Sequence, residues 1–267
     1  MKRTFPRNSA LAVALTILAA LVCALPAVAA DQKANASADI EPAAITALDN
    51  MGKYLRTLKA IQIEAAIQRE EVLDNGLKVQ FAEVATLLAR KPDRIRVVVL
   101  SDRKERHFLF DGKLFTLWAP RVNYYATVPA PPTIGEVADA LQEKFGIEMP
   151  LVDLYRWGDD AGSAAGITAA VDVGPSKIGS ADCEQYALRQ EGIDWQIWIQ
   201  QGEFPLPHKV VITTTTDEAR PQYQATYTWN LAPTITDADF TFDPPTDAQR
   251  ILLKEIAPEA DASTKEK

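Results

Sequence analysis

The side chains able to do chemistry are few and scattered. The two histidines, His107 and His208, lie far apart in the chain, one beside Phe108 in a strand pattern and one at a strand start after Pro207. Neither has the neighbouring Cys, His or carboxylate that a metal site needs at short spacing. Asp237 and Asp239 form a D-x-D pair without the glycine and glutamate of a calcium loop. Glu70-Glu71 precedes a turn, and Asp159-Asp160 sits in a small-residue loop; both read as solvated charge. No HExxH, CxxC, Walker loop, GxGxxG or GxSxG occurs. The expectation is therefore no catalytic residue, no metal and no cofactor. A hydrolase built on paired carboxylates has no motif in its favour.

What the chain does have is aromatic and aliphatic bulk at alternate positions. Phe108, Phe110, Trp118, Tyr125, Trp195, Tyr227 and Trp229 all fall in strand patterns. Taken singly, each is ordinary core. Taken together, they would line one greasy face of a curved sheet. The chemistry that such a face offers is burial of an apolar ligand.

The elements that must position these residues are legible. In Gln222–Leu231 the residues Tyr223, Ala225, Tyr227, Trp229 and Leu231 alternate with polar ones, the period of a strand with one covered face. Ile193, Trp195, Ile197 and Ile199 repeat the idea, as do Ile61, Ile63, Ala65 and Ile67. Tight turns at Asn75-Gly76, Pro92-Asp93, Asp102-Arg103 and Asp111-Gly112, with a break at Pro120-Arg121, join six strands into an antiparallel meander between Ile61 and Val128. Five more follow: Ile167–Ile178, Asp182–Gln190, Ile193–Gln200, Pro207–Thr216 and Gln222–Leu231. Helical stripes mark Ala43–Leu58 and the stretch from Ile134 to Phe145. Thr133 and Glu136 make a capping box at the start of the second stripe, and Gly146 is placed to close it. Pro150–Trp157 reads as a further short helix. The fold class expected is mainly β (α+β): an unclosed antiparallel β-barrel of about eleven strands, its concave face covered by helices.

The first 30 residues have a different character. Lys2, Arg3 and Arg7 precede the apolar run Ala10–Leu25, and Pro26–Ala30 supplies small residues, the pattern of a cleaved secretory signal. The run is short for a membrane span. Ala20-Leu21-Val22 before Cys23 does not fit a lipoprotein signal. Cleavage leaves Cys183 alone, so an exported chain has no internal disulfide and relies on its core. Cys183 reads as a buried, inert thiol. Losing the three basic residues takes the formal charge from −8 to −11, which disfavours nucleic acid as a partner. The domains expected are 1–30 signal peptide, 31–253 one half-barrel domain and 254–267 a disordered tail. The protein is expected to be periplasmic and monomeric.

Three stretches together resemble a known superfamily: Arg90-Lys91-Pro92-Asp93-Arg94, Phe110–Leu114 with Trp118-Ala119-Pro120, and Phe240–Pro245. In order and spacing they are similar to the periplasmic lipoprotein carrier and its outer-membrane receptor, the LolA/LolB-like superfamily. Tyr124–Pro129 and Asp194–Gln200 look closer still to an uncharacterised family of predicted periplasmic proteins, a domain of unknown function. The resemblance implies a LolA-like unclosed barrel with a helical lid over a hydrophobic cavity, and no enzyme activity. It also implies a lid contact at the motif proline. There the carriers place an arginine, and this chain has Lys91 with Arg90 one residue earlier. Lysine lacks the guanidinium fork, so lipoprotein transfer itself is disfavoured.

The function expected is thus a carrier that holds a lipid, acyl chain or lipoprotein, or another amphiphile. The lining residues would be Phe108, Phe110, Trp195, Ile197, Tyr223, Tyr227 and Trp229, and the lid residues Val137, Leu141 and Phe145, with Arg90 and Lys91 as lid contact. The alternative is an interaction or envelope-stress sensor module whose core stays shut and which binds an envelope protein. Trp198, on the polar face of its strand, would be its exposed anchor.

Overall fold

Successive hairpins lay the chain down as one sheet. A computed structural model describes residues 40–156 and 166–256, which fall within a single compact unit, Ser37–Lys267. The signal-peptide pattern, the Asp159-Asp160 pair, and the tail beyond residue 256 lie outside the described residues.

A first run of strands is β1 (Ala60–Val72), β2 (Lys78–Arg90), β3 (Arg94–Ser101), β4 (Glu105–Phe110), β5 (Leu114–Ala119) and β6 (Tyr124–Pro129). After the helices come β7 (Ala169–Ile178), β8 (Ala181–Gln190), β9 (Ile193–Gln200), β10 (Pro207–Thr214) and β11 (Gln222–Asn230). A two-residue strand, β12 (Gln249–Arg250), was not foreseen; it pairs in parallel with β6. The order across the sheet is β12-β6-β5-β4-β3-β2-β1-β11-β10-β9-β8-β7. Every other pairing between these strands is antiparallel, and β12 and β7 stand at opposite ends of the strand order, so the barrel does not close.

The two runs meet where β1 pairs with β11, Ile63 opposite Trp229 and Ala65 opposite Tyr227. This non-local seam makes one sheet of two meanders. The outer strand β7 has a register shift between Asp172 and Gly174 and carries Pro175. Both features spoil an edge as a template for further strands.

Three helices lie on one face of the sheet. In α1 (Pro42–Thr57) a proline opens the first turn, and Ala44, Leu48, Met51 and Leu55 are buried. In α2 (Ile134–Phe145) the expected capping box is present, and Gly146 closes the helix in the left-handed region at φ 62°. Ile134, Val137, Ala138 and Leu141 form its buried stripe. The short α3 (Val152–Arg156) follows. Side chains from all three helices and the covered sheet face join one apolar cluster, from Leu48 and Met51 through Ile63, Leu87, Val97 and Phe110 to Ile197 and Ala225.

The opposite sheet face is not uniformly wet. The segment after β11 crosses the outer side of β3–β6 as a strap. Its 3-10 turn (Asp237–Phe240) buries Phe240, and its Phe242 ring lies 5.4 Å from Trp118 and 5.2 Å from Tyr125. The strap then pairs with β6 through β12 and ends beside α2, where the Ile256 amide donates to the Lys144 carbonyl at 2.9 Å.

Candidate functional site

The residues nominated as a lining converge. Phe108 and Phe110 enter the cluster from β4, Trp195 and Ile197 from β9, and Tyr227 from β11, all buried. Tyr223 and Trp229 are partly buried against the same cluster. Opposite them, α2 contributes buried Val137 and Leu141 and partly buried Phe145. Alternation explains the convergence: each strand sends every second side chain to the covered face, and antiparallel pairing aligns these rows.

The polar tips of Trp229, Tyr223 and Tyr227 find a partner or shift their ionisation. The Trp229 indole N–H donates to the Pro207 carbonyl at 2.7 Å. Burial, with help from nearby Glu83 and Asp153, pushes the Tyr223 phenol up to about 12. Burial, then the neighbouring Tyr223 and Asp153, holds Tyr227 well above its ordinary value. Asp153 lies on α3, so the helix face meets the two tyrosines at one end of the apolar layer.

That end is charged. Glu83 on β2 receives the Arg69 Nε–H at 2.9 Å, and Lys104 Nζ lies 3.1 Å from its other oxygen. The second contact is an ion pair whose angle falls outside hydrogen bonding. The Glu83 side chain is only 9% exposed, so a carboxylate here depends on both cations. Arg69 and Arg103 also stack on Phe81, 5.1 and 4.6 Å from its ring centroid. The polar cluster was not anticipated from sequence. Its signal was available: Arg69 and Glu83 interrupt the apolar rows of β1 and β2 near their hairpin end.

The motif turn at Arg90–Arg94 is a junction of three elements. The Lys91–Pro92 peptide is cis. The Pro92 carbonyl accepts from the Ile134 amide at 3.0 Å, which ties the start of α2 to the turn, and the Lys91 amide donates to the Lys59 carbonyl at 2.8 Å. Arg90 reaches the other way, to Asp237 at 2.5 Å and over the Phe240 ring at 5.8 Å. The Pro92 backbone thus joins the turn to α2, while the Arg90 guanidinium holds the strap.

The remaining sequence candidates resolve into structural roles. His107 bonds Glu105 at 2.8 Å and lies edge-on to Trp118; His208 bonds Gln200 at 2.8 Å, and burial pushes its pKa down. Asp239 caps the 3-10 turn through Thr236, while Asp237 pairs with Arg90. Cys183 is buried, and burial raises its thiol pKa. It belongs to a small outer-face cluster with Trp198 and Val211 rather than to the main core. Trp198 is not the exposed anchor expected of it. It is 8% exposed, donates to Ser176 Oγ at 3.1 Å and has Lys209 over its ring at 4.8 Å. Alternation identified its face correctly but does not reveal whether that face is covered. Among the described residues no group of three or more His, Cys, Asp or Glu side chains could hold a metal ion.

Comparison with solved structures gives LprF from Mycobacterium bovis at 15% identity and a TM-score of 0.46, covering 79% of this chain and 99% of that one. An uncharacterized conserved protein from Thermus thermophilus matches at 13% identity and a TM-score of 0.45, with the same coverages. A LolA superfamily protein from Nitrosomonas europaea matches at 12% identity and a TM-score of 0.32, covering 74% of this chain and 97% of that one. Comparison with curated protein sequences gives no match. The family model described as predicted periplasmic protein (DUF2092) matches residues 44–254.

Proposed function

The chain belongs to the DUF2092 family of predicted periplasmic proteins, and on that premise we propose that it is a non-enzymatic binding protein for an amphiphile. The apolar part of the ligand would lie between the covered sheet face and α2, among Phe110, Ile197, Tyr223 and Tyr227. The polar end would lie near Glu83, Arg69 and Lys104.

The observation that carries this reading is how α2 is attached. Among the described residues, its backbone hydrogen bonds to other elements are Ile134 to Pro92 and Lys144 to Ile256, one at each end. Between them its buried stripe, Ile134, Val137, Ala138 and Leu141, rests on apolar contact. Such contact is non-directional, so an acyl chain can replace it. The energies are of one size. Full burial of a Val, Leu or Ile side chain is worth about 1.5–3 kcal/mol, so Ile134, Val137 and Leu141 hold α2 down by about 5–9 kcal/mol. An acyl chain contributes about 0.8 kcal/mol per buried methylene. A chain of roughly six to eleven methylenes thus offsets displacement of the helix, and a longer one binds.

Native mass spectrometry of the protein isolated from its own periplasm tests the proposal. A lipid-sized adduct that dissociates on activation is expected. A bare mass, together with no uptake of long-chain fatty acid by the purified protein, would refute it.

A further inference from the structure

A pocket of about 400 Å³ lies on the sheet face away from the helices, under the strap. Its floor is the outward row Leu109, Thr116 and Thr127 on β4, β5 and β6, cross-strand neighbours in register. Phe240 and Phe242 of the strap wall it, and Arg250 of β12 stands at its side. We propose that this pocket is a second binding site, separate from the α2-covered layer, for a small amphiphilic monoanion: a carboxylate on a short apolar body.

The lining sets the ligand class. Leu109, Leu114, Phe240 and Phe242 supply apolar surface, which suits an apolar body, beside a polar share of similar size. The polar groups then converge at few points, as in small-molecule sites. Thr116 and Thr127 share one hydrogen bond of 2.8 Å between their hydroxyls. Two hydroxyls carry two protons, and that bond uses one, so a donor remains for a ligand oxygen. Arg250 has no carboxylate partner among the described residues; its nearest acceptor is the Thr127 carbonyl at 3.4 Å. Asp111 also lines the pocket, but one of its oxygens accepts from the Lys113 and Leu114 amides at 2.9 and 2.8 Å. Arg96, the cross-strand neighbour of Leu109, has a buried Nε with no hydrogen-bond partner among the described residues. Arg96 also lies near Asp239 of the strap, so the charges here are mixed. The groups left short of partners are chiefly donors, namely the spare hydroxyl proton, the Arg96 Nε–H and the Arg250 guanidinium, and a carboxylate that accepts fits them better than an ammonium that only donates. At about 30 Å³ per water-sized group, the volume takes roughly a dozen heavy atoms. That is enough for an eight-carbon carboxylate and too little for a membrane lipid.

The experiment is an NMR titration of the full chain with octanoate, using octanol and octylammonium as charge controls. Octanoate is expected to shift Leu109, Thr116 and Thr127 resonances saturably, and octylammonium to bind more weakly. Arg250 is exposed, so Arg250→Gln keeps the fold. It is expected to weaken octanoate at least fivefold and leave octanol unchanged. Thr116→Val should weaken octanoate as well. Shifts confined to Val137 and Leu141 would place octanoate in the helix-covered layer and overturn this site while leaving the first proposal standing. No shift at the floor residues, or an Arg250→Gln protein that binds octanoate as before, would overturn it too.

Discussion

Leu141→Ala tests how α2 is held and how the ligand would displace it. Leu141 is 2% exposed and packs its side chain into the main cluster from the middle of the helix. Truncating a buried leucine costs about 2–5 kcal/mol. That loss falls on the closed state alone, because a displaced helix no longer makes the contact. The energy an acyl chain must supply drops by the same amount. At about 0.8 kcal/mol per methylene, the shortest fatty acid that binds should lose roughly three to six methylenes. Isothermal titration calorimetry across saturated acids from eight to eighteen carbons would read the threshold directly. With the strap pocket weakened by Arg250→Gln in both proteins, the chain with Leu141 intact should show little heat below about ten carbons and an affinity that rises with length; the Leu141→Ala variant should bind shorter acids and melt at a lower temperature. An affinity independent of chain length, or a threshold unmoved by Leu141→Ala in a folded protein, would refute the displacement argument.

Trp198→Ser should lower the melting temperature substantially, since large-to-small changes at a buried tryptophan cost about 3–5 kcal/mol and Trp198 is buried with Cys183 and Val211; a neutral change would mean that the residue sits in solvent. Alkaline pH should destabilise the fold in a defined window. Tyr223 and Tyr227 stay protonated in the folded chain above the ordinary tyrosine range, while the unfolded chain ionises near pH 10, so the folded state binds more protons there and stability falls as pH rises from about 10 towards 12. Absorbance titration at 295 nm should show these two phenols ionising late or only with unfolding. Deleting residues 251–267 removes the Ile256–Lys144 bond; amide exchange in α2 should quicken while that in β1–β3 stays slow, and equal quickening everywhere would show that α2 does not open separately.

Local features were the legible ones. The Asn75-Gly76 hairpin, the capping box at Thr133 and the left-handed Gly146 each follow from chemistry within a few residues, and all appear where the pattern puts them. Period-two alternation placed Phe110, Ile197 and Tyr227 on the covered face because one covered face is enough to set it. The β1–β11 seam was not legible, since nothing near Ile63 specifies Trp229 as its partner. The strap was the larger omission. Leu109 and Trp118 occupy outward positions where a wet face would carry polar residues, and Phe240 and Phe242 follow in a segment without strand length. Read together, these would have pointed to a covered outer face; read one strand at a time, they did not. Ion pairs such as Glu83 with Arg69 and Lys104 depend on cross-strand geometry, which alternation alone leaves open.

The displacement of α2 by a chain-shaped ligand is tested most directly by photo-crosslinking with a palmitate that carries a diazirine along its chain, followed by peptide mapping. The account predicts adducts on Phe110, Ile197, Tyr227 and the buried stripe of α2, lost when unlabelled palmitate competes. Adducts confined to outward-facing residues, or none above background, would contradict it.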